Sequence, residues 1–90
     1  MKHHLNYSKE DPNNIMLGKI FKIIGSRKAK TIMTSKGVQN VDMMILSLKI
    51  IFTAIFFNTT VEFVVQELKS DKKLRKFFEI SDALQIFIKI

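Results

Sequence analysis

Between two apolar stretches the chain reads "GSRKAKTIMTSKG", residues 25–37, which carries Arg27, Lys28, Lys30 and Lys36 and no acidic residue. Ser26, Thr31, Thr34 and Ser35 place neutral donors among these cations. Ammonium and guanidinium groups interleaved with hydroxyls are what contact a phosphodiester backbone, the cations by displacing counterions and the hydroxyls by donating to phosphate oxygens. A second cationic run, Lys69 to Lys76, sets five basic residues against Asp71 alone. Of these, Lys72, Lys73, Arg75 and Lys76 share a short helical pattern. Both runs are expected to bind DNA: Arg27, Lys28, Lys30 and Lys36 as an exposed connector that need not be rigid, and Lys72, Lys73, Arg75 and Lys76 from a helix. Double-stranded DNA is the expected partner.

Bond-making chemistry lacks its parts. Gly18, Gly25 and Gly37 are too scattered to form a phosphate loop. The two histidines, His3 and His4, lie side by side in a polar N-terminal stretch and read as a solvated tail rather than a metal site. The carboxylates Glu10, Asp11, Asp42, Glu62, Glu67, Asp71, Glu79 and Asp82 are dispersed, whereas two-metal phosphoryl transfer needs them clustered. With no cysteine there is neither a disulfide nor a thiolate zinc site. The expectation is a binding protein with no enzymatic activity, no cofactor and no metal.

Composition agrees with that class. Ninety residues make one small domain, which at this size buries only about 60–65% of its unfolded surface. Fifteen basic against eight acidic residues give a formal charge of +7, a balance that suits a polyanion such as nucleic acid or an anionic membrane. The opening "MKHHLNYSKEDPNN" has no apolar core of the kind a secretion signal needs. Together with the absence of cysteine, this leads to the expectation of a cytoplasmic location.

The elements that must position the cations read as helices. "DPNN" announces the first, with Asp11 or Asn14 as the cap and Leu17, Ile20, Phe21 and Ile24 as its apolar face, ended by Gly25. "NVDMMILSLKIIFTAIFFN" is the most apolar segment, with Asn40 as a cap. Asp42, Lys49 and Thr53 share one narrow stripe at helical spacing, expected to be a wetted edge on an otherwise buried helix. "TTVE" has the spacing of a capping box between Thr59 and Glu62. It opens a helix with Val61, Val64, Val65 and Leu68 inward. Ser70 or Asp71 starts the next, with Leu74, Phe77 and Phe78 inward. Ser81 opens a last segment whose "IFIKI" alternates like a strand.

The expected fold is all-α, a small bundle of four or five helices around Val41–Phe57, compatible with a helix-turn-helix. A flexible tail is expected over residues 1–14, the helical domain over 15–82, and an irregular or truncated end over 83–90. A membrane span is disfavoured. Its apolar run is shorter than the roughly 20 residues needed, and Lys49 in its middle costs about 2.5–3.5 kcal/mol.

"LSLKIIFTAIFFNTTVEFVVQELKSDKKLRKFFEIS" resembles the N-terminal helical domain of insertion-element transposases with a DDE catalytic core. In those proteins an apolar helix leads through a short turn to a helix with a Glu-Leu pair, matched by Glu67 and Leu68. A Leu-Arg-x-Phe-Phe segment follows, matched by Leu74 to Phe78. "KIIGSRKAKTIMTSKGVQNVDMMILSLKII" is also similar to archaeal members, so the resemblance spans roughly residues 15–82. It implies recognition of element ends or support of dimerisation, ahead of a ribonuclease-H-like domain whose three carboxylates match no position here. The family continues with helical sequence where this chain reads "LQIFIKI", which implies a truncated copy. The alternative class is a small helical membrane-associated or partner-binding protein, with the apolar segment as its interaction surface.

Overall fold

The computed structural model describes residues 12–80. The expectations placed on His3, His4 and the rest of residues 1–11, on the Ser81 cap and on the end at 83–90 lie outside the described residues. Five helices and no strand occur among the described residues: α1 Pro12–Ile24, α2 Arg27–Ser35, α3 Val41–Phe56, α4 Val61–Ser70 and α5 Lys72–Phe78. The fold is a small all-α bundle. Its core is a set of i, i+4 ladders: Leu17 and Phe21 from α1, Leu46, Ile50 and Ala54 from α3, Val64 and Leu68 from α4, Leu74 and Phe78 from α5. Each ladder runs along one side of its helix, so four helices close over a common interior.

Pro12 opens α1, where its fixed φ suits a first helical residue. The expected tail therefore ends before residue 14. Asn14 is no cap; it is buried within α1. Leu17, Phe21 and Ile24 are buried while Lys19 and Lys22 are exposed, as the spacing predicts.

The basic connector is a helix, which corrects the reading of it as a connector that need not be rigid. Ser26 Oγ accepts from the Ala29 N–H at 3.1 Å and caps α2. At the other end Gly37 takes φ +90°, and the Gly37 and Val38 N–H groups donate to the Thr34 and Met33 carbonyls at 3.1 and 3.0 Å. That pair of bonds is the Schellman closure, which needs a left-handed residue. No α2 residue is buried, so apolar periodicity gives little sign of the helix.

Asn40 caps α3 as expected, its Oδ1 accepting from the Met43 N–H at 3.0 Å. The polar stripe of α3 is wetted only at Asp42, in the first turn; Lys49 and Thr53 turn inward. Lys49 and Thr53 are 8% and 1% exposed, while Ile51 and Ile55 on the opposite side are 44% and 66% exposed. Burial is tolerated because each polar group has a partner. Thr53 Oγ1 donates to the Lys49 carbonyl at 2.7 Å, and Lys49 Nζ donates to the Phe78 carbonyl at 2.6 Å.

Past the end of α3, Asn58 takes φ 51°, and the Thr59 N–H donates back to the Ala54 carbonyl at 2.9 Å. Thr59 is thus committed to closing α3. Thr60 caps α4 instead, accepting from the Phe63 N–H at 3.0 Å, and the expected box with Glu62 does not form. Val64 and Leu68 are buried as predicted, but Val61 is 43% exposed and Glu67 is buried.

Asp71 alone joins α4 to α5. Its N–H donates to the Glu67 carbonyl at 2.9 Å, and its Oδ1 accepts from the Lys73 and Leu74 N–H groups at 2.9 and 3.2 Å. Asp71→Ala is expected to lower stability by about 1–2 kcal/mol, and Asp71→Asn to recover most of it. Urea denaturation of the three proteins measures this, and equal midpoints would rule the cap out as a contributor.

Candidate nucleic-acid interface

The cations come together through α5, which the rings of Phe77 and Phe78 hold against α1. Phe78 packs edge-on against Phe21 of α1 with ring centroids 4.9 Å apart, and Phe77 lies 5.3 Å from the same ring. This docking sets Lys73 and Lys76 opposite Lys22 across a cleft of about 570 Å³ between α1 and α5. Phe21, Phe77 and Gly18 give the cleft apolar walls, Lys49 reaches it from α3, and Glu79 is the single carboxylate on it among the described residues. Glu79, in the left-handed region at φ 57°, also borders two neighbouring hollows. One contains Lys30 of α2 and the other Lys72, Arg75 and Lys76.

The expected DNA-binding residues are therefore dispersed differently than their sequence order indicates. Lys72, Lys73 and Lys76 of α5 and Lys30 of α2 line the three hollows that Glu79 borders, and Asp42 shares the one that holds Lys30. Arg27, Lys28 and Lys36 are exposed at the two ends of α2, outside the cleft. Arg75 is occupied within the fold, where its Nη1 donates to the Leu68 and Lys69 carbonyls at 2.8 and 3.1 Å and closes the C-terminus of α4.

Sequence spacing does not single out Lys22 or Lys49 as a cleft residue. Lys22 falls on the polar face of α1, and nothing local sets it apart from Lys19. Lys49 carries a signal, a lone cation inside the most apolar segment, but the signal does not say what it meets. Its ammonium bonds the last turn of α5 and lies 5.3 Å from the Phe21 ring centroid, a cation–π contact.

Burial lowers the Lys49 pKa below the ordinary 10.5, with Glu79 opposing the shift and Lys30 adding to it. Below its folded pKa the group is charged in both states and desolvation penalises the folded one. Between the folded value and 10.5 the unfolded chain binds the extra proton, so stability rises with pH across that window. Lys49→Met should abolish this rise, so the variant's stability relative to the parent falls as pH increases from neutral to about 11. Paired urea denaturation series check it; a difference constant with pH would mean that Lys49 titrates as it does in water.

Among the described residues no group of histidine, cysteine and carboxylate side chains is arranged to hold a metal ion. No single helix there is long and apolar enough to cross a membrane, and α3 and α4, which together have the length, bend by 110° at their junction. No family model, curated protein or solved structure matches the chain.

Proposed function

We propose that the chain binds double-stranded DNA through the phosphate backbone and does no chemistry of its own. The observation that carries this reading is the convergence of Lys22, Lys49, Lys73 and Lys76, from three helices, on one cleft with a single acid among the described residues. Folding that concentrates like charges works against stability, and a polyanion reverses the sign of that contribution. The N-terminus of α2 supports the same reading. Arg27 and Lys28 sit at the positive end of the helix dipole with no acid in the first turn, an unfavourable placement that a phosphate would relieve.

The resemblance to transposase N-terminal regions supplies a setting, recognition of element ends within the cytoplasm; the one-residue junction of α4 and α5 is shorter than the three to four residues of a helix-turn-helix turn, so that motif lends the reading no support. The reading is tested by titrating duplex DNA at several salt concentrations. Four to six phosphate contacts give a slope of log K against log salt of roughly −4 to −5. A slope near zero would falsify the proposal.

A second reading, partner binding or a homodimer, is favoured by Met44, Ile51 and Ile55. These lie on one face of α3 and are 39%, 44% and 66% exposed. Concentration-dependent self-association that persists in high salt would support it, since apolar contact is not screened.

A further inference from the structure

Duplex phosphates need cations, but they do not need an aromatic wall, a small-ligand-sized cleft or a glycine, and the space between α1 and α5 has all three. Its volume of about 570 Å³ lies within the roughly 300–1,000 Å³ range of small-ligand sites. Phe77 is half-buried, with its ring centroid 5.3 Å from Phe21 and 6.3 Å from Phe78. It lines the cleft and is held by two other rings. Three exposed ammonium groups, those of Lys22, Lys73 and Lys76, rim the same cleft.

Gly18 is the independent observation. It lies inside α1, where glycine is among the poorest helix formers. Its backbone does not require glycine either, since φ is not positive there, and a Cβ built at this position meets nothing within 4 Å. Neither packing nor backbone geometry accounts for it. What a side chain would change is the cleft, which Gly18 lines.

We infer that the cleft is a site for one unpaired nucleotide of a DNA strand, its base against Phe77 and its phosphate between Lys22, Lys73 and Lys76. The inference rests on the DNA-binding reading and adds a preference for strand ends or gaps over continuous duplex. An aromatic platform beside cations is the arrangement that holds single strands, because every base has a π-face to stack and every linkage a charge to neutralise. Four lysines against one carboxylate exclude a cationic ligand.

The test uses the whole chain and three labelled probes: a blunt duplex, the same duplex with a short single-stranded overhang, and that overhang made abasic. The overhang should bind about tenfold tighter than the blunt duplex, and the abasic overhang should lose that gain. Gly18→Leu fills the cleft while improving the helix, so it should raise the melting temperature and lose the overhang preference, leaving overhang and blunt duplex bound alike. Phe77→Leu should lose the preference by a similar factor. Equal binding of overhang and blunt duplex, or a preference that survives Gly18→Leu, overturns the inference and leaves duplex binding standing. If no probe binds, the DNA-binding reading falls with it. If a free mononucleotide displaces the overhang at concentrations below those at which the overhang strand itself binds, the assignment to a DNA strand is overturned.

Discussion

Phe78→Ala is expected to destabilise the chain by about 3–5 kcal/mol, the range for removing a buried aromatic ring. Phe78 is 1% exposed and packs edge-on against Phe21, and its carbonyl is the acceptor for the buried Lys49 ammonium. α5 is only seven residues long and buries only Leu74 and Phe78. Phe77 against Phe21 and Arg75 on the end of α4 add to these two. At roughly 0.05–0.15 kcal/mol per residue, a chain of 90 residues has few such contributions to lose. The variant should therefore melt far earlier than the parent in urea followed by far-ultraviolet circular dichroism, or lose α5 before the rest. DNA affinity should fall with it, because α5 carries Lys73 and Lys76 to the cleft. A loss below about 1 kcal/mol would contradict the docking of α5.

Replacing Lys22, Lys73 and Lys76 together with alanine is expected to reduce the salt slope by roughly 3, about one for each phosphate contact removed. At low salt the affinity for duplex should fall on the order of a hundredfold or more. All three side chains are exposed, so stability should stay within about 0.5 kcal/mol of the parent. That separates lost contact from lost fold. Lys19→Ala, also exposed on α1 but outside the cleft, is the matched control. If the triple variant binds like the parent while alanines at Arg27, Lys28, Lys30 and Lys36 abolish binding, α2 carries the interface and the cleft does not.

Much of the secondary structure is legible in the chain. The apolar spacing of Leu17 to Ile24 and of Leu74 to Phe78 marks α1 and α5, and Asn40 and Asp71 announce their helices because short polar side chains satisfy exposed N–H groups there. The departures have physical causes. α2 reads as a connector because none of its residues is buried, so the helix rests on Ser26 and Gly37 rather than on an apolar stripe. The α4 cap falls one residue later than its spacing indicates because the closure of α3 claims Thr59. The cleft is the least legible part: Lys22, Lys73 and Lys76 belong to two helices that the chain separates by the whole of α2, α3 and α4.

That the chain is helical, where most helices begin and end, and which side chains are long and cationic are all written in the residues themselves. These are local properties, set by capping, periodicity and charge within a few residues. The inward direction of Lys49 and Thr53 is not local, since a stripe at helical spacing has no sign until neighbours pack against it. Lys49 is buried rather than wetted because its ammonium finds the Phe78 carbonyl 29 residues further along. The same docking of α5 on α1 turns scattered lysines into a cleft, since charges far apart in sequence act on one ligand only where packing brings them together.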